Sequence, residues 1–133
     1  MYKALVNEAA RARNQAYAPY SKFAVGAALL TRSGGIFIGC NVENASIGLT
    51  ICAERAAVAV AIAQGHNDFA AIAVVTDSAK PCAPCGACRQ VLAEFNPTLQ
   101  VVMATTSGAT QEVSLADLLP LATQGLLEAM PNV

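Results

Sequence analysis

The sequence predicts an α/β domain built on a mixed sheet, and three observations carry that expectation. The chain has 133 residues, the size of one domain with one hydrophobic core, so residues 1–133 are expected to form a single domain. After an opening helix and hairpin, the pattern runs strand, helix, strand, helix, strand, which implies right-handed crossovers and a parallel section in the sheet. Apolar residues make up 55% of the composition and charged residues only 13%, a balance that predicts part of the surface is hidden against copies of the same chain.

Residues 2–17 are rich in helix formers, with Leu5, Val6, Ala9 and Ala10 on one side and a turn at Pro19, which predicts a helix lying over the core. Short strands are expected over 25–31 and 36–41. Ser33-Gly34-Gly35 between them is hairpin chemistry. A helix should run from about Ile51 to a C-cap at Gly65, followed by a β-rich run over 70–76. A further helix over 85–95 precedes a strand over 99–104. Residues 114–119 read as a short capped helix before Pro120.

Composition also narrows the function classes. Net charge is −1 and the eight Lys and Arg residues are scattered, so nothing favours a nucleic-acid partner. The longest apolar runs, such as 56–63, fall short of the roughly 18 residues of a membrane span. The opening MYKALVNEAARARNQ has charges at Lys3, Glu8, Arg11 and Arg13 and no apolar block, so no secretory signal is expected and a cytoplasmic location follows. Five cysteines in a reducing compartment favour metal binding over a disulfide framework.

Two clusters carry the chemistry: TICAERAA at 50–57 and APCGACRQ at 83–90. Cys52 and Glu54 are two apart, so they can share a target only at the start of a helix, where Cys52 faces a metal beyond the helix end and Glu54 reaches the metal's outer ligand. Cys85 and Cys88 are three apart and follow Pro84, which suits a first helical turn. Two helix N-termini then point at one place, and their partial positive charge favours thiolate. Three thiolates leave a zinc ion one open position, as catalytic sites do. They also load it with negative charge, which Arg55, on the face of Cys52, is placed to offset.

Simpler readings stand beside this one. Cys82, Cys85 and Cys88 contain two C-x-x-C pairs, a pattern shared with redox motifs. A structural zinc site would need a fourth ligand, for which Cys82, Cys40 and His66 are candidates, Cys82 foremost. His66 reads as a solvated helix-end residue and Cys40 as a small buried hydrophobe. Glu54 alone could be a carboxylate favouring a helix dipole.

GCNVENAS at 39–46, GLTICAERAA at 48–57 and PCGACRQVL at 84–92 together resemble the small zinc-dependent cytidine deaminases of pyrimidine salvage, over about residues 17–120. The resemblance implies a three-layer α/β/α fold with a mixed five-stranded sheet, one zinc ion per chain, and hydrolysis of cytidine and deoxycytidine to uridine and deoxyuridine with release of ammonia. It implies Cys52, Cys85 and Cys88 as zinc ligands and Glu54 as the proton shuttle. It further implies that Asn41 and Glu43 bind the sugar hydroxyls, that Phe23 packs against the nucleoside, and that the backbone N–H of Ala53 meets the base carbonyl. A homotetramer with shared active sites is the implied assembly. At two positions where the family usually carries aromatics this chain has Ile47 and Thr123, which predicts a more open site, suited to a different cytosine nucleoside. Relatives acting on a modified nucleoside or an aminopyrimidine antibiotic, and a structural zinc or redox module, are the alternatives.

Overall fold

Alternation along the strands sorts the apolar residues onto two faces, and each face is covered by helices. The computed structural model describes residues 1–123. In chain order the elements are α1 (Lys3–Arg13), β1 (Gly26–Thr31), β2 (Ile36–Cys40), a 3-10 turn (Ile47–Leu49), α2 (Ala53–Ala63), β3 (Phe69–Thr76), α3 (Gly86–Phe95), β4 (Gln100–Thr105), β5 (Thr110–Ser114) and α4 (Leu115–Leu118). The five strands form one sheet in the order β2-β1-β3-β4-β5. Only β3 and β4 are parallel, with Val74 opposite Met103, and every other neighbouring pair is antiparallel. The sheet is therefore mixed, and the three-layer α/β/α arrangement is the one predicted.

On one face Ala28, Ala71, Ala73 and Ala104 receive Leu5 and Ala9 of α1. These small side chains let the helix approach closely: a Cβ at Gly26 would lie 2.0 Å from the carbonyl oxygen of Ala9. On the other face Leu29, Ile72, Val74, Val101 and Met103 pack against Ala53, Ala57 and Val58 of α2 and Leu92 and Ala93 of α3. Gly39 of β2 is in equally close contact here, since a Cβ would meet Ala57 N at 2.4 Å and Ala53 O at 2.5 Å. The start of α2 is thereby pressed onto the sheet.

Three differences from the sequence reading have physical causes. The first helix stops at Arg13, short of Tyr17, because Tyr17 is drawn into an extended bridge: its N–H donates to Asn41 O at 2.9 Å and its carbonyl accepts from Glu43 N–H at 2.8 Å. The second helix starts at Ala53, with Cys52 as its N-cap, and ends just before Gly65, whose φ is +88°. The fifth strand, which no sequence run located, is an edge strand of exposed polar residues pairing Val113 with Val101. The short final helix is found as expected, capped by Ser114, whose Oγ accepts from Ala116 N–H at 3.3 Å.

Candidate active site

Cys52 and Cys85 occupy the N-cap positions of α2 and α3, in extended conformation, and neither side chain caps its own helix. Both helices pack on the same face of the sheet, so the two caps and Cys88, one turn into α3, converge. Their three sulfurs lie within 4.8 Å of one another, the one group of metal-ligating type among the described residues. Cys52 and Cys85 are 3.8 Å apart, and Cys85 and Cys88 3.4 Å. Tetrahedral zinc with Zn–S of about 2.3 Å needs sulfurs roughly 3.8 Å apart, so soft donors in this arrangement fit that ion. Cys85 is held below the usual thiol range: against its desolvation, the backbone N–H of Cys88 and the thiols of Cys88 and Cys52 favour its thiolate. Burial, then the charge of Glu54, pushes Cys88 up, a cost that a bound cation would remove.

Arg55 closes the back of this group. Its Nη2 donates to Cys52 Sγ at 3.3 Å, as the three-residue spacing predicts, and its hydrogen bonds to Cys52 and Cys88 hold the guanidinium above the usual arginine range. Its Nε is buried with no hydrogen-bond partner among the described residues, which fits a group placed for charge.

Glu54 is the second residue of α2 and is only 4% exposed. Burial raises its pKa above the ordinary carboxylate range, overriding its own backbone N–H, the Cys88 thiol and the charge of Arg55, all of which lower it. Its side chain lines a cavity of about 290 Å³ shared with Cys52, Cys85 and Ala53. Ala53 is the first residue of α2, so its N–H has no partner inside the helix.

The opposite wall of the cavity comes from the loop between α1 and β1 and from the chain after β2. Phe23, Asn41 and Glu43 all line it. Asn41 is 8% exposed, and its amide spans the loop, accepting from Val25 N–H at 2.9 Å and donating to Phe23 O at 2.8 Å. Glu43 accepts from the backbone N–H groups of Tyr20 and Ser21 at 3.0 and 3.1 Å and from the Ser21 hydroxyl. The structure thus brings together every site residue expected from the sequence.

Cys82 is not part of the sulfur group: its thiol lies 3.2 Å from Ser78 Oγ, and it lines the cavity instead. The His66 ring lies 5.0 Å from that of Phe37, tilted by 40°, and His66 is not part of the sulfur group. Ile47 and Thr123 do not line this cavity; Ile47, 84% exposed, borders a neighbouring one of about 430 Å³. Ser21, Val25, Thr50, Val74, Thr76 and Ala83 complete the walls and were missed as site residues. Nothing in their local sequence marks them, because they meet the cavity only through the fold.

Residues 1–105 match the family described as cytidine and deoxycytidylate deaminase zinc-binding region. A cytidine deaminase from Halalkalibacterium halodurans is 51% identical over 117 residues, covering 87% of this chain and 89% of that protein. The crystal structure of cytidine deaminase from Burkholderia pseudomallei is similar at a TM-score of 0.87 and 54% identity, covering 90% of this chain and 97% of that one. The cytidine deaminase structure from Mycobacterium tuberculosis is similar at 0.81 and 42%, covering 94% and 98%.

Proposed function

Because the chain belongs to the cytidine and deoxycytidylate deaminase zinc-binding family, we propose that it hydrolyses cytidine and deoxycytidine to uridine and deoxyuridine with release of ammonia. The observation that carries this reading is a desolvated carboxyl, Glu54, on a cavity wall beside three converging thiols. Cys52, Cys85 and Cys88 would hold the zinc ion, which would supply Lewis acidity toward a water. Glu54 takes the two protons of the attacking water in turn, passing the first to N3 of the base as the hydroxyl adds at C4 and the second to the amino group, which leaves as ammonia while the C4 carbonyl forms. A raised pKa suits a group that must both accept and deliver a proton near neutral pH.

The rest of the chain holds the nucleoside. The free N–H of Ala53 meets the base carbonyl, Phe23 packs against the nucleoside, and Asn41 and Glu43 bind the sugar hydroxyls. Arg55 offsets the charge of the thiolates through its hydrogen bond to Cys52. Ile47 and Thr123 stand where the family usually carries aromatics but do not line this chain's own cavity, so they would weaken stacking on the base only from a neighbouring copy, which a comparison of cytidine with bulkier cytosine nucleosides would reveal.

We take residues 1–133 as one domain, working as a homotetramer with shared active sites. Exposed apolar side chains support the assembly: Tyr17, Val42 and Ile51 are joined by bridges into one strip beside the cavity, and Ile47 and Leu49 lie close by in sequence. No helix among the described residues is long and apolar enough to cross a membrane. A cytoplasmic location is supported by the need to keep the thiols reduced.

The deciding experiment is Glu54→Gln. Zinc per chain should stay at the parent level while ammonia release from cytidine falls by about a hundred- to ten-thousandfold. Full activity in that variant would take the proton-shuttle role from Glu54, and zinc without ammonia release in the parent itself would leave a structural zinc module as the better reading.

A further inference from the structure

We propose that Ser21 is a positioning residue for substrate recognition, its hydroxyl locking the carboxylate of Glu43 and the backbone of Phe23 into the arrangement that meets the sugar. This rests on the reading of Glu43 as a sugar-binding residue.

The direction of the Ser21 hydroxyl is fixed by its partners. The N–H of Phe23 can only donate, and it points at Ser21 Oγ from 3.0 Å, so the single hydroxyl proton is left for Glu43 Oε2. Glu43 Oε1 is already filled by the N–H groups of Tyr20 and Ser21. A carboxylate has about four acceptor positions, of which three are occupied here, so Glu43 has one left, on Oε2. Asn41 is oriented by the same loop, since Val25 N–H demands its oxygen and Phe23 O demands its nitrogen. Both polar residues expected to read the sugar are therefore aimed by residues 20–25, and among the described residues Ser21 is the one whose side chain in that loop hydrogen-bonds to either of them.

The loop does not adopt this form by local preference. Lys22, between Ser21 and Phe23, has φ +60°, a left-handed conformation unfavourable for a residue with a side chain, and it persists because neighbouring bonds impose it. The hydrogen bond from Ser21 is also the foremost cause of the lowered pKa of Glu43, as expected of a hydroxyl that donates to the carboxylate form. Ser21 itself lines the cavity beside Phe23, Asn41 and Glu43. It is far in sequence from the residues that move protons.

The test is steady-state kinetics on Ser21→Ala, Ser21→Thr and Glu43→Gln with cytidine and with dideoxycytidine, which lacks the sugar hydroxyls at 2′ and 3′, zinc being measured in each preparation. Ser21→Ala should raise KM for cytidine by about tenfold with kcat within about twofold of the parent, and should leave dideoxycytidine almost unaffected. Ser21→Thr, which keeps the hydroxyl, should restore cytidine KM, and the Ser21→Ala/Glu43→Gln double variant should be no worse than Glu43→Gln alone. An equal penalty on both nucleosides, or lost zinc, would make Ser21 a merely structural residue and overturn the proposal. Glu43→Gln with raised cytidine KM and a silent Ser21→Ala would overturn the Ser21 assignment alone. An unchanged KM in Glu43→Gln would overturn the sugar reading beneath it.

Discussion

Arg55 is the residue whose role was most readable in advance, because one helical turn separates it from Cys52 and a positive group was needed to balance three thiolates. The structure sets its Nη2 3.3 Å from Cys52 Sγ, the contact that this spacing predicts. Arg55→Ala should lower cytidine turnover by about ten- to a hundredfold and speed the loss of zinc to a chelator, which a metal-release assay would register. Unchanged release kinetics would assign Arg55 to packing only. Glu54 was legible in the same way, as a carboxylate at a helix start with a metal-ligand spacing before it. Ser21 and Thr76 were not, because a lone hydroxyl has no periodicity, and only the folded chain shows which cavity it borders.

At the level of elements, helix starts were legible where chemistry and capping coincide: Pro84 before Cys85, and Cys52 before an alanine-rich run, both mark real N-termini. The fifth strand was hidden because its outward residues are polar and exposed, so it lacks the alternation that marks a half-buried strand. The end of α1 was misplaced because helix propensity in residues 14–16 yields to the bridge that pulls Tyr17 toward Val42. Gly39 fixes how closely β2 and α2 pack, with Ala57 N and Ala53 O within 2.5 Å of where a Cβ would stand. Gly39→Ala should therefore destabilise the fold by about 1–3 kcal/mol, readable in chemical denaturation. It should also depress deamination, since Ala53 and Glu54 ride on the displaced turn. A variant that melts like the parent would show that α2 can shift without cost.

For the whole molecule, the high apolar content pointed to a hidden surface, and the exposed strip of Tyr17, Val42 and Ile51 is a candidate for it. Which copies meet there could not be read from one chain, because burial between subunits leaves no spacing in the sequence. Light scattering should give four chains at micromolar concentration, and a monomer would remove the shared-site assembly. The uncapped starts of α2 and α3 have a consequence for the stability of the molecule as a whole. A helix start selected for its own sake would carry Ser, Thr, Asp or Asn, and at both places this chain carries sulfur instead. Ligand chemistry and fold stability therefore compete for the same two atoms. Cys52→Ser should give a dead enzyme that nonetheless melts above the metal-stripped parent, by about 0.5–2 kcal/mol in unfolding free energy.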